Sequence, residues 1–201
     1  FSDGTSPTFG AGSVGNGTLS AFISYERGSF ATRTLGRTSI GTRPSSGLTA
    51  NYIRGSRFKV QAPRPDMVFT RLSAYLDGNG GATGSQWVRM ALYQVFQHDG
   101  QPTAVPIAMS SDVPTASGAA PGWVHFPIAR REEHAPDITA DFYIMIHSGD
   151  AGGVVRFYGD GAANWFGRAQ PFPDSGEFAF TGIVSGDSTL SVYATYTTKD
   201  D

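Results

Sequence analysis

Along segment after segment of this chain, apolar and polar residues alternate with a period of two, and no stretch of about 11 residues keeps the period of a helix. Met67 to Leu76, Trp87 to Phe96, Trp123 to Ile128, Asp141 to His147, Val154 to Tyr158 and Leu190 to Thr197 are rich in β-branched and aromatic residues. Clusters of Gly, Pro, Asn or Asp bound them, as strands require. The 26 glycines and 12 prolines among 201 residues supply those turns without reaching the level of low-complexity chains. The pattern predicts an all-β chain, an antiparallel β-sandwich of jelly-roll type, in preference to a propeller or a solenoid. A chain of this length buries about 70% of its extended surface, so its core needs neither metal nor disulfide.

A formal net charge of −2 gives no basic footprint, so no nucleic acid is expected as a partner. No run of even 12 apolar residues exists, so no membrane insertion is expected. The absence of cysteine excludes disulfides, thiolate-bound zinc and thiol nucleophiles, and leaves the compartment open. The chain begins Phe1-Ser2-Asp3-Gly4, without an initiator Met or a signal peptide, and reads as a mature product or a piece of something longer.

Self-similarity divides the chain. Thr18-Leu19-Ser20-Ala21-Phe22-Ile23-Ser24-Tyr25 aligns with Thr189-Leu190-Ser191-Val192-Tyr193-Ala194-Thr195-Tyr196 at an offset of 171, and the match runs back to Phe1 on Phe172, with eight of the first 25 positions identical. Residues 1–26 therefore read as the last strand of a preceding repeat or as a donor-type strand, and residues 27–201 as one complete β-sandwich module. Such a strand pairs with a sheet edge in its own chain or in copies of itself.

Alternation also predicts two faces. Val68, Leu72, Ala74 and Leu76 oppose Phe69, Arg71, Ser73 and Tyr75; Val88, Met90 and Leu92 oppose Trp87, Arg89 and Tyr93. Phe142, Ile144 and Ile146 likewise oppose Tyr143, Met145 and His147, and Leu190, Val192 and Ala194 oppose Ser191, Tyr193 and Thr195. The second set mixes aromatics with Arg, His and hydroxyls. Sugar rings stack their apolar carbons on such rings and hydrogen-bond through their hydroxyls, while an Arg can take a uronate, sulfate or phosphate. The same side chains also suit ordinary cross-strand packing. The stretch from Val154 to Gly167 adds Arg156, Tyr158, Asp160, Asn164 and Trp165 among three glycines. The carbohydrate-binding candidates are thus Trp87, Arg89, Tyr93, Tyr143, His147, Arg156, Tyr158, Asp160, Asn164 and Trp165, with Trp165 able instead to plug the end of a sandwich.

Catalytic constellations are thin. Glu26, Glu132, Glu133 and Glu177 are the only glutamates, and none lies in an alternating strand, which leaves an Asp pair from Asp141 and Asp160 for a glycosidase. A lyase can be assembled from Arg71, Arg89, His147 and Tyr158, as from any Tyr-rich sheet. Gly10-Ala11-Gly12-Ser13-Val14-Gly15 spells a dinucleotide-binding fingerprint but precedes a strand where that motif must follow one, so it reads as a turn. Asn16-Gly17-Thr18 reads as a turn rather than a glycosylation site. The loop from Asp77 to Gly81 is oxygen-rich, and Asp77 and Asn79, with Asp99 or Asp160, are candidates for a structural calcium, the one cofactor for which the sequence leaves room. His98, His125, His134 and His147 show no ligand spacing.

In the stretches Asn51 to Phe58, Ser73 to Gly78, Val88 to Tyr93, Gly122-Trp123-Val124, Ile146 to Gly149 and Gly159 to Gly167, the chain resembles a β-sandwich module repeated in large secreted bacterial proteins and similar to carbohydrate-binding modules. The resemblance implies a non-catalytic module, secreted or at the cell surface, that binds a polysaccharide or other glycan. Residues 1–26 keep open a structural subunit of an extracellular filament or surface array assembled by strand addition. A polysaccharide lyase or hydrolase is the minor alternative.

Overall fold

The protein is described by a computed structural model covering residues 29–60, 66–131, 141–160, 165–172, 176–180, 184–186 and 189–199. All regular structure among them is β-strand. The first strands are β1 (Phe30–Gly36), β2 (Arg43–Pro44), β3 (Tyr52–Lys59), β4 (Val68–Asp77) and β5 (Ser85–His98). β6 (Gln101–Ser110), β7 (Val113–Ala116), β8 (Gly122–Arg131), β9 (Asp141–Ser148) and β10 (Arg156–Asp160) follow. The chain ends in β11 (Trp165–Ala169), β12 (Phe178–Ala179), β13 (Val184–Gly186), β14 (Thr189–Leu190) and β15 (Val192–Lys199).

The strands pair antiparallel in the order β1-β15-β4-β8-β6-β5-β9-β3-β11-β13, with β10 joining β2, β4 and β14, β7 on β5, and β12 on β6. β8 is the crossing point. Its first half pairs with β4 from Leu76↔Gly122 to Arg71↔Pro127, and its second half pairs with β6 from Ser110↔Ile128 to Ala108↔Arg131. The first described strand pairs residue for residue with the last, Phe30↔Lys199 to Gly36↔Tyr193. Residues 1–26, with the repeated strand, the Gly10 to Gly15 turn and the Asn16 turn, lie outside the described residues.

One buried cluster unites the two ends of this order. It takes Leu72, Ala74 and Leu76 from β4, Val192 and Ala194 from β15 and Phe126 from β8, together with Val88, Met90 and Leu92 from β5 and Phe142, Ile144 and Ile146 from β9. Gly36, at φ +112°, is where β1 comes closest: a Cβ there would lie 2.5 Å from the Val192 carbonyl oxygen and 3.0 Å from the Ile144 Cδ1.

The expected faces hold except at the start of β4. Phe69 is buried against Phe142 and Tyr196, and Val68 is exposed, the reverse of the sequence reading. The cause is an extra residue. Tyr196 pairs with Phe69 and Thr195 with Arg71, leaving Thr70 as a bulge that shifts the alternation by one position. A second bulge, at Ile107, accommodates Pro106, whose missing N–H cannot join a regular ladder; β6, with two prolines, was not among the expected strands.

At one end of the molecule Gln86, fully buried, ties three segments together. Its amide nitrogen donates to the Leu48 carbonyl at 3.1 Å, and its amide oxygen accepts the Val154 and Val155 N–H groups at 3.2 and 3.0 Å.

Candidate functional site

Beyond Thr70, β4 sends Leu72, Ala74 and Leu76 into the core and Ser73, Tyr75 and Asp77 to the opposite face. Antiparallel pairing sets Trp123 of β8 opposite Tyr75, His125 opposite Ser73, and Tyr193 of β15 on the other side of Ser73. The rings meet edge to face. Centroids are 5.5 Å apart for Tyr75 and Trp123, 4.9 Å for Trp123 and Tyr193, and 5.1 Å for Tyr75 and Tyr158. Four half-buried rings therefore run in one row, Tyr158-Tyr75-Trp123-Tyr193, across β10, β4, β8 and β15.

Ser191 fixes the spacing at one end of the row. The expected strand from Leu190 to Thr197 breaks there, so β14 pairs with β10 while β15 pairs with β4. In the gap the Ser191 N–H donates to the Tyr158 carbonyl at 2.8 Å, and its carbonyl accepts the Tyr75 N–H at 2.9 Å. One buried residue thus holds the backbones of two of the rings.

Charged groups close the same end. Asp77, with no side-chain exposure, accepts Arg156 Nε at 3.0 Å and Nη2 at 2.6 Å, the Tyr158 hydroxyl at 2.5 Å and the Asn79 N–H at 2.8 Å. Burial pushes its carboxyl up, but hydrogen bonds from Arg156, Tyr158 and Asn79 more than offset this and hold it well below the usual carboxylate range. Tyr158 is pushed up in turn, chiefly because its hydroxyl is committed to Asp77. Arg37 forks onto both oxygens of Asp160. On the far side of the row, Ser73 Oγ lies 3.0 Å from His125 Nδ1, and burial, followed by the nearby charge of Arg71, lowers the His125 pKa.

The structure divides the sequence candidates. Arg156, Tyr158 and Asp160 join the row. Trp87 and Arg89 point away from the core on β5, which lies three places from the β4 of Tyr75 in the strand order. Trp87 is 47% exposed there, and Arg89 binds Asp112 at 2.6 Å with its guanidinium over the Phe172 ring at 4.9 Å. Tyr93, Tyr143 and His147 lie on that same outer side but are buried. Tyr93 packs on Phe178 at 5.3 Å, Tyr143 on Phe166 and Phe180 at 5.1 and 4.9 Å, and His147 Nε2 lies 3.0 Å from the Gln170 carbonyl. The chain from β11 to Phe180 covers this face as a second apolar cluster, so these three side chains offer no open surface. Asn164 lies outside the described residues. Trp165 is described only by its backbone, paired with Ser56 and Gly186.

Asp77 and Asn79, the calcium candidates, form an Asx turn in which both Asp77 oxygens already take donors. Asp160 is engaged by Arg37, and Asp99 sits in the turn at the opposite end of the 14-residue β5. Among the described residues, no three His, Asp or Glu side chains are grouped to hold a metal ion.

Trp123 is the residue that the candidate set missed, with Tyr75 and Tyr193 assigned only to a face. Its signal was the spacing Trp123-Val124-His125-Phe126, which places Trp123 and His125 opposite the core residue Phe126. The sequence matches no protein-family model and no curated protein.

Proposed function

We propose that this protein is a non-catalytic extracellular module that binds polysaccharide along the row Tyr158-Tyr75-Trp123-Tyr193, on an antiparallel β-sandwich of jelly-roll type. The observation that carries the reading is the row itself: four contiguous half-exposed rings on one face, flanked by Arg156, Asp160, Arg37 and His125. Rings offer faces and edges for the apolar carbons of sugars, and fixed polar groups beside them take the hydroxyls. The sandwich reading is supported by the core cluster, which draws facing side chains from β4, β8 and β15 on one side and β5 and β9 on the other. A binding rather than catalytic role suits carboxylates that are already paired: Asp77 and Asp160 are both held by arginine, and Asp77 is kept ionised and so unfit as a general acid.

A glycan array probed with the whole chain, followed by titration of each hit, tests the reading. Trp123→Ala should weaken binding by about tenfold or more, whereas Trp87→Ala, on β5 and outside that row, should leave it unchanged. Equal affinity of wild type and Trp123→Ala, with folding intact, would refute the row as the site.

Strand addition is the second reading. Among the described residues β1 pairs only with β15, and Phe30 on it is 52% exposed. Deleting residues 1–26 tests it: conversion of a polymer to a folded monomer favours assembly, and an unchanged monomer excludes it.

A further inference from the structure

We infer that the polysaccharide recognised by this face is anionic, and that Arg71 reads its uronate carboxylate or sulfate ester. The inference rests on the proposed carbohydrate-binding role of the ring row. Arg71 follows the Thr70 bulge on β4 and shares the outward face with Ser73 and Tyr75. Its neighbours across the pairs are Pro127 of β8 and Thr195 of β15, one rung from His125 and Tyr193. The side chain is exposed and has no carboxylate partner among the described residues. Among the described residues, the other two arginines of this face are spent: Arg156 on Asp77 and Arg37 on Asp160. Those two pairs cancel, leaving the Arg71 guanidinium as the net charge of the described part of the face.

Register places Arg71 one rung from His125, whose pKa is lowered first by burial and then by the Arg71 charge. Regular alternation with the core residues Leu72, Ala74 and Leu76 turns Arg71 outward beside Ser73 and Tyr75. Pro127 opposite Arg71 has no side-chain acceptor or charge to engage the guanidinium. A planar guanidinium free to fork onto two oxygens is the group suited to a carboxylate or sulfate. A whole chain carrying a formal charge of −2 repels polyanions in general, so attraction must be local to this face.

The test is calorimetric titration of the full chain with polygalacturonate, with the same polymer after reduction of its carboxyl groups, with dextran sulfate and dextran, and with inorganic polyphosphate as a sugar-free polyanion. The expected result is at least about tenfold tighter binding of one acidic polymer than of its neutral counterpart. Which acidic polymer shows it assigns carboxylate or sulfate. Arg71→Gln should remove that preference, bringing the acidic polymer down to the affinity of its neutral counterpart, and Arg71→Lys should restore part of it. Equal binding of acidic and neutral forms, or a preference that survives Arg71→Gln, would overturn the inference and leave the ring row standing. Polyphosphate binding as tight as that of the acidic polysaccharide would overturn it as well. Binding of none of the polysaccharides, with a glycan array also blank, would overturn the ring row itself.

Discussion

Tyr158 donates its hydroxyl to Asp77 at 2.5 Å, and this bond ties the end of β4 to the ring that closes the aromatic row on β10. The same carboxylate holds Arg156, directly opposite it in the pairing of the two strands. Asp77→Ala should therefore lower the unfolding free energy by about 2 kcal/mol, because it takes away the one carboxylate that Arg156, Tyr158 and the Asn79 N–H share. Chemical denaturation measures this. The variant should also weaken glycan binding, by freeing the Tyr158 ring, and a variant with full stability and full binding would show that the bond positions nothing.

Acid should destabilise the protein in two stages. Asp77 and His125 both bind protons more weakly in the fold than the ordinary values of 3.8 and 6.5. Each contribution to stability is thus complete above the unfolded value and is lost as pH falls through the folded one. For His125 the loss begins below about pH 6.5, and for Asp77 below about pH 4. Thermal unfolding from pH 8 to pH 3 should show a shallow decline and then a steep one, with Asp77→Asn less steep in the second limb than wild type. Identical slopes would contradict the assignment.

Arg71→Gln should raise the His125 pKa, since the guanidinium is the second cause of its depression after burial. Proton NMR of the imidazole during a pH titration reads this directly. An unchanged or lowered value would place the charge elsewhere.

Gln86→Leu keeps approximate volume but strips three hydrogen bonds from backbone groups of Leu48, Val154 and Val155 in a fully buried place. The expected cost is about 3 kcal/mol, seen as a lower denaturation midpoint at unchanged slope. A near-neutral variant would mean that water replaces the amide.

The strands and their apolar faces were legible because alternation is a local property: Val88, Met90 and Leu92, and Phe142, Ile144 and Ile146, are buried as their spacing requires. What covers the other face is not local. Tyr93, Tyr143 and His147 have the same pattern as Tyr75 and Tyr193, yet Phe166, Phe178 and Phe180 roof the two tyrosines and Phe172 packs on His147, while Tyr75 and Tyr193 stay half-exposed among the described residues. Trp123 was hidden for a similar reason, since its worth depends on lying opposite Tyr75, a pairing set by register between β4 and β8. The Thr70 bulge exchanged Val68 and Phe69 because a single inserted residue leaves no mark in a period-two pattern until the partner strand is known.

The three tryptophans, Trp87, Trp123 and Trp165, provide three indole N–H signals in a heteronuclear NMR spectrum, and their shifts during titration with a bound polysaccharide fragment locate the ligand most directly. Binding along the ring row predicts that the Trp123 signal moves with saturation while the Trp87 signal, on β5 and outside that row, stays still. A titration in which Trp87 moves and Trp123 does not would contradict the proposed site.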